Sequence, residues 1–328
     1  MCIRYFRLII LFVIVITVSC SKSSTLSPEE DGYATPGPMG YSDVDEYPSF
    51  SPDGNKIVYR HNAITEIIGI GTNINFDSTG IWIANIDGSN PRMLIKGMFI
   101  NVDFSPDMKW IVFEGSAQIL KVPFLGDSVD ISRIESLTPG GRNFFPDWSP
   151  DGEWIAYDRS VSDEFGPYGL WIMRKDGSDK KHLYSYGMMP NWHPNGKSVI
   201  CATGLDSLRW CKFLILYPFY NTSNDTLKVL KGNDNRHPKF SPDGTKIVFQ
   251  SQPNANIPYI CIMDSNGRNI RCLIDGYYPS WSPDGNKIVF IRSPFPYGVA
   301  WGLGTIWMIN KDGSNLKQIT QYTIKGIS

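Results

Sequence analysis

Residues 278–290 read YPSWSPDGNKIVF, and five more copies of this pattern decide the fold. They are YPSFSPDGNKIVY (47–59), NVDFSPDMKWIVF (101–113), FPDWSPDGEWIAY (145–157), MPNWHPNGKSVIC (189–201) and HPKFSPDGTKIVF (237–249). Each copy predicts a hairpin. The proline presets φ for a tight turn, Asp or Asn caps it, and Gly takes the positive φ. The segment after the turn alternates at strand period, Ile57 and Tyr59 against Val58 and Arg60.

The motif prolines are Pro52, Pro106, Pro150, Pro194, Pro242 and Pro283, spaced by 54, 44, 44, 48 and 41 residues. A period in the forties marks propeller blades. Behind most copies lies a second hairpin with an Asp-Gly or Asn-Gly turn, as in IWIANIDGSNPRMLI (81–95), LWIMRKDGSDKKHLY (170–184) and IWMINKDGSNLKQIT (306–320). Four strands per repeat cannot bury both faces of a sheet alone, whereas sheets stacked around an axis do. The expectation is an all-β, six-bladed β-propeller of four-stranded antiparallel blades over residues 41–328.

The SPDG hairpin followed by an apolar run and an Asp-Gly turn resembles the WD-like repeat of the TolB propeller family. The six copies cover residues 47 to 320. The resemblance speaks for fold; propellers of this family serve many roles. TolB proper carries an additional N-terminal α/β domain, whereas only a tether precedes the first repeat here, so a full TolB role is not implied.

Arg4 and Arg7 precede an unbroken run of apolar residues and Thr from Leu8 to Val18, the layout of an export signal over 1–19. Thr17-Val18-Ser19-Cys20 resembles a bacterial lipobox, which implies cleavage before Cys20 and its acylation; Thr17 stands where Leu is usual. Ser21, rather than Asp, after the cysteine favours an outer-membrane lipoprotein facing the periplasm or the medium. Residues 20–40, rich in Ser, Pro and Gly, read as a tether. The net charge of -1 gives no reason to expect nucleic acid. Contact with the membrane is expected through the lipid only, and the expected state is a monomer.

Ligand contact is expected at the face opposite the repeated turns and at the channel mouth. Aligning the copies gives an upper ring that includes Tyr47, Phe145, Met189, His237 and Tyr278, above a polar ring that includes Asp103, Asp147, Asn191 and Lys239. The long loop of blade 6 adds Tyr297 and Trp301. These rings form either a funnel for an extended or cyclic ligand or a water-filled channel. The turn aspartates Asp53, Asp151, Asp243 and Asp284 read as structural caps.

The four histidines (His61, His182, His193 and His237) do not converge as a zinc site requires. Propeller pectate-degrading lyases bind metal through such a cluster. Neither a metal nor another cofactor is expected, and no catalytic residue is assigned. Asp103 and Asp147, on adjacent blades, are the one carboxylate pair placed for sugar hydrolysis. Cys261 and Cys272 are equidistant from the Asn266-Gly267 turn and should face each other as a disulfide. Cys201 and Cys211 flank one loop as a second candidate pair, the alternative being four buried thiols. The expected function is a non-catalytic envelope lipoprotein that binds a protein partner or a cell-wall glycan; the rival is a carbohydrate-active lyase or hydrolase. Cys20→Ala should abolish incorporation of a clickable fatty acid into the chain, and persistent labelling would contradict the lipobox reading.

Overall fold

A computed structural model describes residues 43–68, 71–203, 212–216, 234–254, 257–292 and 304–321. Cys20, Cys211, Tyr297 and Trp301 lie outside the described residues. The described chain forms five four-stranded antiparallel sheets, one three-stranded sheet and a separate two-stranded hairpin. Numbered in chain order, sheets 1 to 6 run strands A to D outward from a central channel. Sheet 1 is Val44–Phe50, Lys56–Asn62, Gly80–Asn85 and Arg92–Lys96, paired in that order. Sheet 4 shows three strands, Gly187–Trp192, Val199–Thr203 and Lys212–Leu216. The two-stranded hairpin, Ile64–Ile68 with Gly71–Ile74, belongs to the B–C connection of sheet 1.

The A–B turn closes as the motif predicts. In sheet 1 the Gly54 N–H donates to Ser51 O at 2.8 Å, and Asp53 accepts from Ser51 Oγ and from Asn55 N. Gly54 sits at φ 72°, where a Cβ is strained; the motif's one non-glycine at this place, Met108, holds φ 56°. Hydrogen bonds from Ser241 and Thr245 hold the Asp243 carboxyl below its usual range, as expected of a turn cap.

Strand B explains how the sheets stack. Its alternate residues serve two different interfaces: Ile57 and Tyr59 pack with Val289, Ile306 and Met308 of sheet 6, while Val58 packs with Phe104, Ile111 and Phe113 of sheet 2. The same exchange recurs at each junction, so six apolar clusters join the sheets pairwise and close the ring. Among the described residues, the first and last sheets exchange no strand. Beside their apolar cluster, Asp45 N donates to Gly304 O at 3.0 Å.

Cys261 and Cys272 form the expected disulfide as directly paired residues of strands C and D in sheet 5. Sheets 1, 3 and 6 fill the same cross-strand place with Trp82–Met93, Trp171–His182 and Trp307–Gln318. The bridge thus replaces tryptophan packing where it is missing. Cys201 is a buried free thiol in the core between sheets 3 and 4.

Phe290→Ala, at a site fully buried between sheets 5 and 6, should lower stability in urea unfolding by about 3–5 kcal/mol. Leu125→Ala, at a surface site, should change it by no more than about 0.5 kcal/mol. Similar small effects from both would contradict the stacked-sheet core.

Candidate functional site: the channel mouth

Every strand A carries the same irregularity. Its register with strand B shifts between Glu46 and Ser49, Ile100 and Asp103, Phe144 and Asp147, Met188 and Asn191, Arg236 and Lys239, and Tyr277 and Ser280. At each bulge one non-glycine residue holds a positive φ: Tyr47, Asn101, Phe145, Met189, His237 and Tyr278, all between 50° and 54°. Such backbone costs about 1–3 kcal/mol per residue and persists only where the surroundings impose it. These six residues are the upper ring read from the sequence, and all of them line one cavity of about 80 Å³ at the channel mouth.

The ring is not an open funnel. Tyr47 and Tyr278 lie 4.3 Å apart between ring centroids, His237 meets Tyr278 at 4.5 Å, and Phe145 reaches His237 at 5.5 Å. An arc of aromatic rings therefore spans part of the mouth. Burial, with Arg236 and Lys239 nearby, pushes the His237 imidazole down to about 3, so it is neutral at physiological pH. Burial pushes the Tyr278 phenol up to about 12.

The polar ring beneath ties neighbouring sheets together. Asp103 accepts from Trp148 N at 3.2 Å, Asp147 from Trp192 N at 2.8 Å, and Asn191 from Phe240 N at 2.8 Å. Each donor lies on strand A of the next sheet. Lys239 cannot accept; instead its carbonyl takes the Trp281 indole N–H at 3.1 Å. Its ammonium crosses the channel to Asp147 at 2.5 Å, and Asn191 Nδ2 reaches both oxygens of the same carboxylate at 3.0 and 3.1 Å. Burial pulls the Lys239 pKa down, but Asp147 and Asp103 outweigh it and leave it raised.

A second tier of acids was not singled out in the sequence. Glu114 accepts from Asn101 Nδ2 at 2.8 Å and from the Phe145 backbone N–H, and Asp158 accepts from Met189 N at 2.8 Å. They hold the N–H groups of the strained residues on the next sheet. Burial pushes Glu114 up to about 7 and Asp158 well above the carboxylate range. Burial, with Asp147 adding to it, pushes Asp103 up to about 7. The only sequence signal for these acids is a charged residue directly after the strand B aromatic, in Phe113-Glu114 and Tyr157-Asp158.

The structure brings nine of the eleven expected contact residues to the channel; Tyr297 and Trp301 lie outside the described residues. Of the nine, Asp147 and Asn191 stand behind the cavity lining. Phe165, on the same face, lies against Gly140 and, at 5.8 Å, beside the Arg159 guanidinium. His61 pairs with Asp45 at 2.7 Å and rests over Trp82, remote from His193, which packs on Phe240 by the turn face.

No family model matches the chain. Over 197 residues, 56% of this chain, it is 30% identical to the uncharacterized protein Atu1656 of Agrobacterium fabrum and spans 65% of that protein's length. Among solved structures, TolB from Acinetobacter baumannii aligns with a TM-score of 0.59 at 20% identity, covering 79% of this chain and 62% of that one. Putative TolB from Agrobacterium tumefaciens gives 0.59 at 21% identity over 72% and 85%. An oligogalacturonate lyase in complex with manganese gives 0.51 at 11% identity over 81% and 89%. In fold, the chain is a TolB-like β-propeller.

Proposed function

We propose that the chain is a six-bladed propeller of the bacterial envelope, anchored by lipid on Cys20, that binds an extended segment of a protein partner at its channel mouth without catalysing a reaction. One observation carries the binding role. Six equivalent backbone positions, all at positive φ and all lining one cavity, bear Tyr, Asn, Phe, Met, His and Tyr. A constant strained scaffold with variable, mostly aromatic side chains is how a rigid recognition surface is built. The partner class follows from the shape: a narrow axial mouth admits an extended chain rather than a folded surface. The TolB-like fold is consistent with an envelope location.

The rival reading is a carbohydrate-active enzyme. It draws on Asp103, whose carboxyl is raised by burial and by the neighbouring Asp147, so that two carboxyl groups share one wall of the channel. Against it, Asp147 is already committed to Lys239, Asn191 and the Trp192 N–H.

The test is capture from detergent-solubilised envelope extract by the mature chain and by a Tyr47→Ala/Tyr278→Ala variant. A protein recovered by the parent should fall at least about tenfold with the variant, while Leu125→Ala recovers it unchanged. Equal recovery by all three would contradict a channel-mouth site, and turnover of a glycan by the parent would favour the enzyme.

A further inference from the structure

Four polar-ring side chains line the cavity: Ser49, Asp103, Lys239 and Ser280. Their charges are not balanced alike. The Lys239 ammonium is paired with Asp147, which is 4% exposed behind the lining. Asp103 makes no ion pair among the described residues. Its carboxylate accepts from Trp148 N at 3.2 Å, from the Phe104 backbone N–H and from Ser49 Oγ at 3.5 Å, the last at the limit of a hydrogen bond.

Holding the next sheet does not require this charge. Asn191, a neutral amide at the equivalent position, accepts the corresponding Phe240 N–H at 2.8 Å, closer than Asp103 holds Trp148. The negative charge at Asp103 is therefore surplus to the inter-sheet bond, and it faces a cavity. Above it stand Phe145, Met189 and Tyr278, which offer apolar and aromatic surface to an aliphatic stem and a π-face to a cation.

From this juxtaposition we infer that the channel mouth receives a primary ammonium group, a lysine side chain or a chain amino-terminus of the partner segment, seated on the Asp103 carboxylate. The inference rests on the channel mouth being the binding site. An ammonium donates up to three hydrogen bonds, and Asp103 Oδ1 with the Ser49 and Ser280 hydroxyls supplies acceptors along the same wall. The groups facing Asp103 are Asp147 from sheet 3 and Lys239 from sheet 5, with only the Ser49 hydroxyl from sheet 1. Burial and Asp147 favour the protonated carboxyl, so an arriving cation favours the ionised form and releases a proton. Below about pH 7 the neutral carboxyl attracts the cation weakly; above it the carboxylate attracts it fully.

The test uses the mature chain in detergent and titrates three probes by NMR or calorimetry: N-acetyl-lysine methylamide, its norleucine analogue, and glycine methylamide, whose free amine mimics a chain terminus. At pH 8 one of the two amines should bind and the norleucine probe should not. The amine that binds identifies the source. Between pH 8 and pH 6 binding should weaken about tenfold for the lysine probe, as one group with a midpoint near 7 requires, and about fivefold for glycine methylamide, whose amine is itself about half protonated at pH 8. In Asp103→Asn, which keeps the acceptor for Trp148 N, binding should be lost with an unchanged melting temperature; Asp103→Ser serves as a second variant. Equal binding of an amine to Asp103→Asn, or equal binding of the norleucine probe, would overturn the inference. So would failure of both amines at pH 8, and in that case partner capture sensitive to Tyr47 and Tyr278 would leave the broader binding role standing.

Discussion

The innermost strand of each sheet has one edge that no strand covers, and the structure depends on what satisfies that edge. An N–H left unpaired in the interior costs about 1–3 kcal/mol. Here, from sheet 2 to sheet 5, a side chain of one sheet accepts the N–H of the next: Asp103 for Trp148, Asp147 for Trp192, Asn191 for Phe240. Glu114 and Asp158 repeat the device one level higher, for Phe145 and Met189. Acids in the channel wall are thus parts of the ring before they are candidates for anything else.

The other half of the ring is joined differently. Lys239 has no acceptor to offer, and sheets 5 and 6 meet through a tryptophan N–H on its carbonyl. Sheets 6 and 1 meet through the tilted ring contact of Tyr47 with Tyr278 and the bond from Asp45 to Gly304. The channel is therefore lopsided, with carboxylates on one side and hydroxyls, aromatics and an ammonium on the other. Lys239 bridges the two halves by reaching Asp147. The same lopsidedness places Asp103, a carboxylate with no ion pair among the described residues, at the cavity wall, and gives the mouth a direction for a charged ligand.

Much of the fold was legible because its determinants are local and repeated. The SPDG turns, the Asp-Gly hairpins and the alternation in strand B each lie within a few residues, and their recurrence gave the ring. The disulfide followed from symmetry about a two-residue turn, since cross-strand partners are equidistant from it. The rim positions were legible by alignment, but their positive φ was not. The following proline does not cause it, because Asn101 holds φ 52° ahead of Val102. Glu114 and Asp158 were missed because the residue after the strand B aromatic differs in every copy, with Arg60, Ala202, Gln250 and Ile291 in the other four. Its role appears only once the next sheet's strand is set beside it. The Lys239–Asp147 bond crosses the channel between non-adjacent sheets, a distance no single repeat encodes.

The most direct measurement is amide hydrogen exchange at Trp192 in the parent and in an Asp147→Ala/Lys239→Met variant, which removes the acceptor without leaving a buried unpaired ammonium. If side chains of one sheet hold the inner edge of the next, the Trp192 amide should lose at least about tenfold protection, while Phe240, held by Asn191, keeps its own. Unchanged protection at Trp192, or an equal loss at every inner strand, would contradict the account.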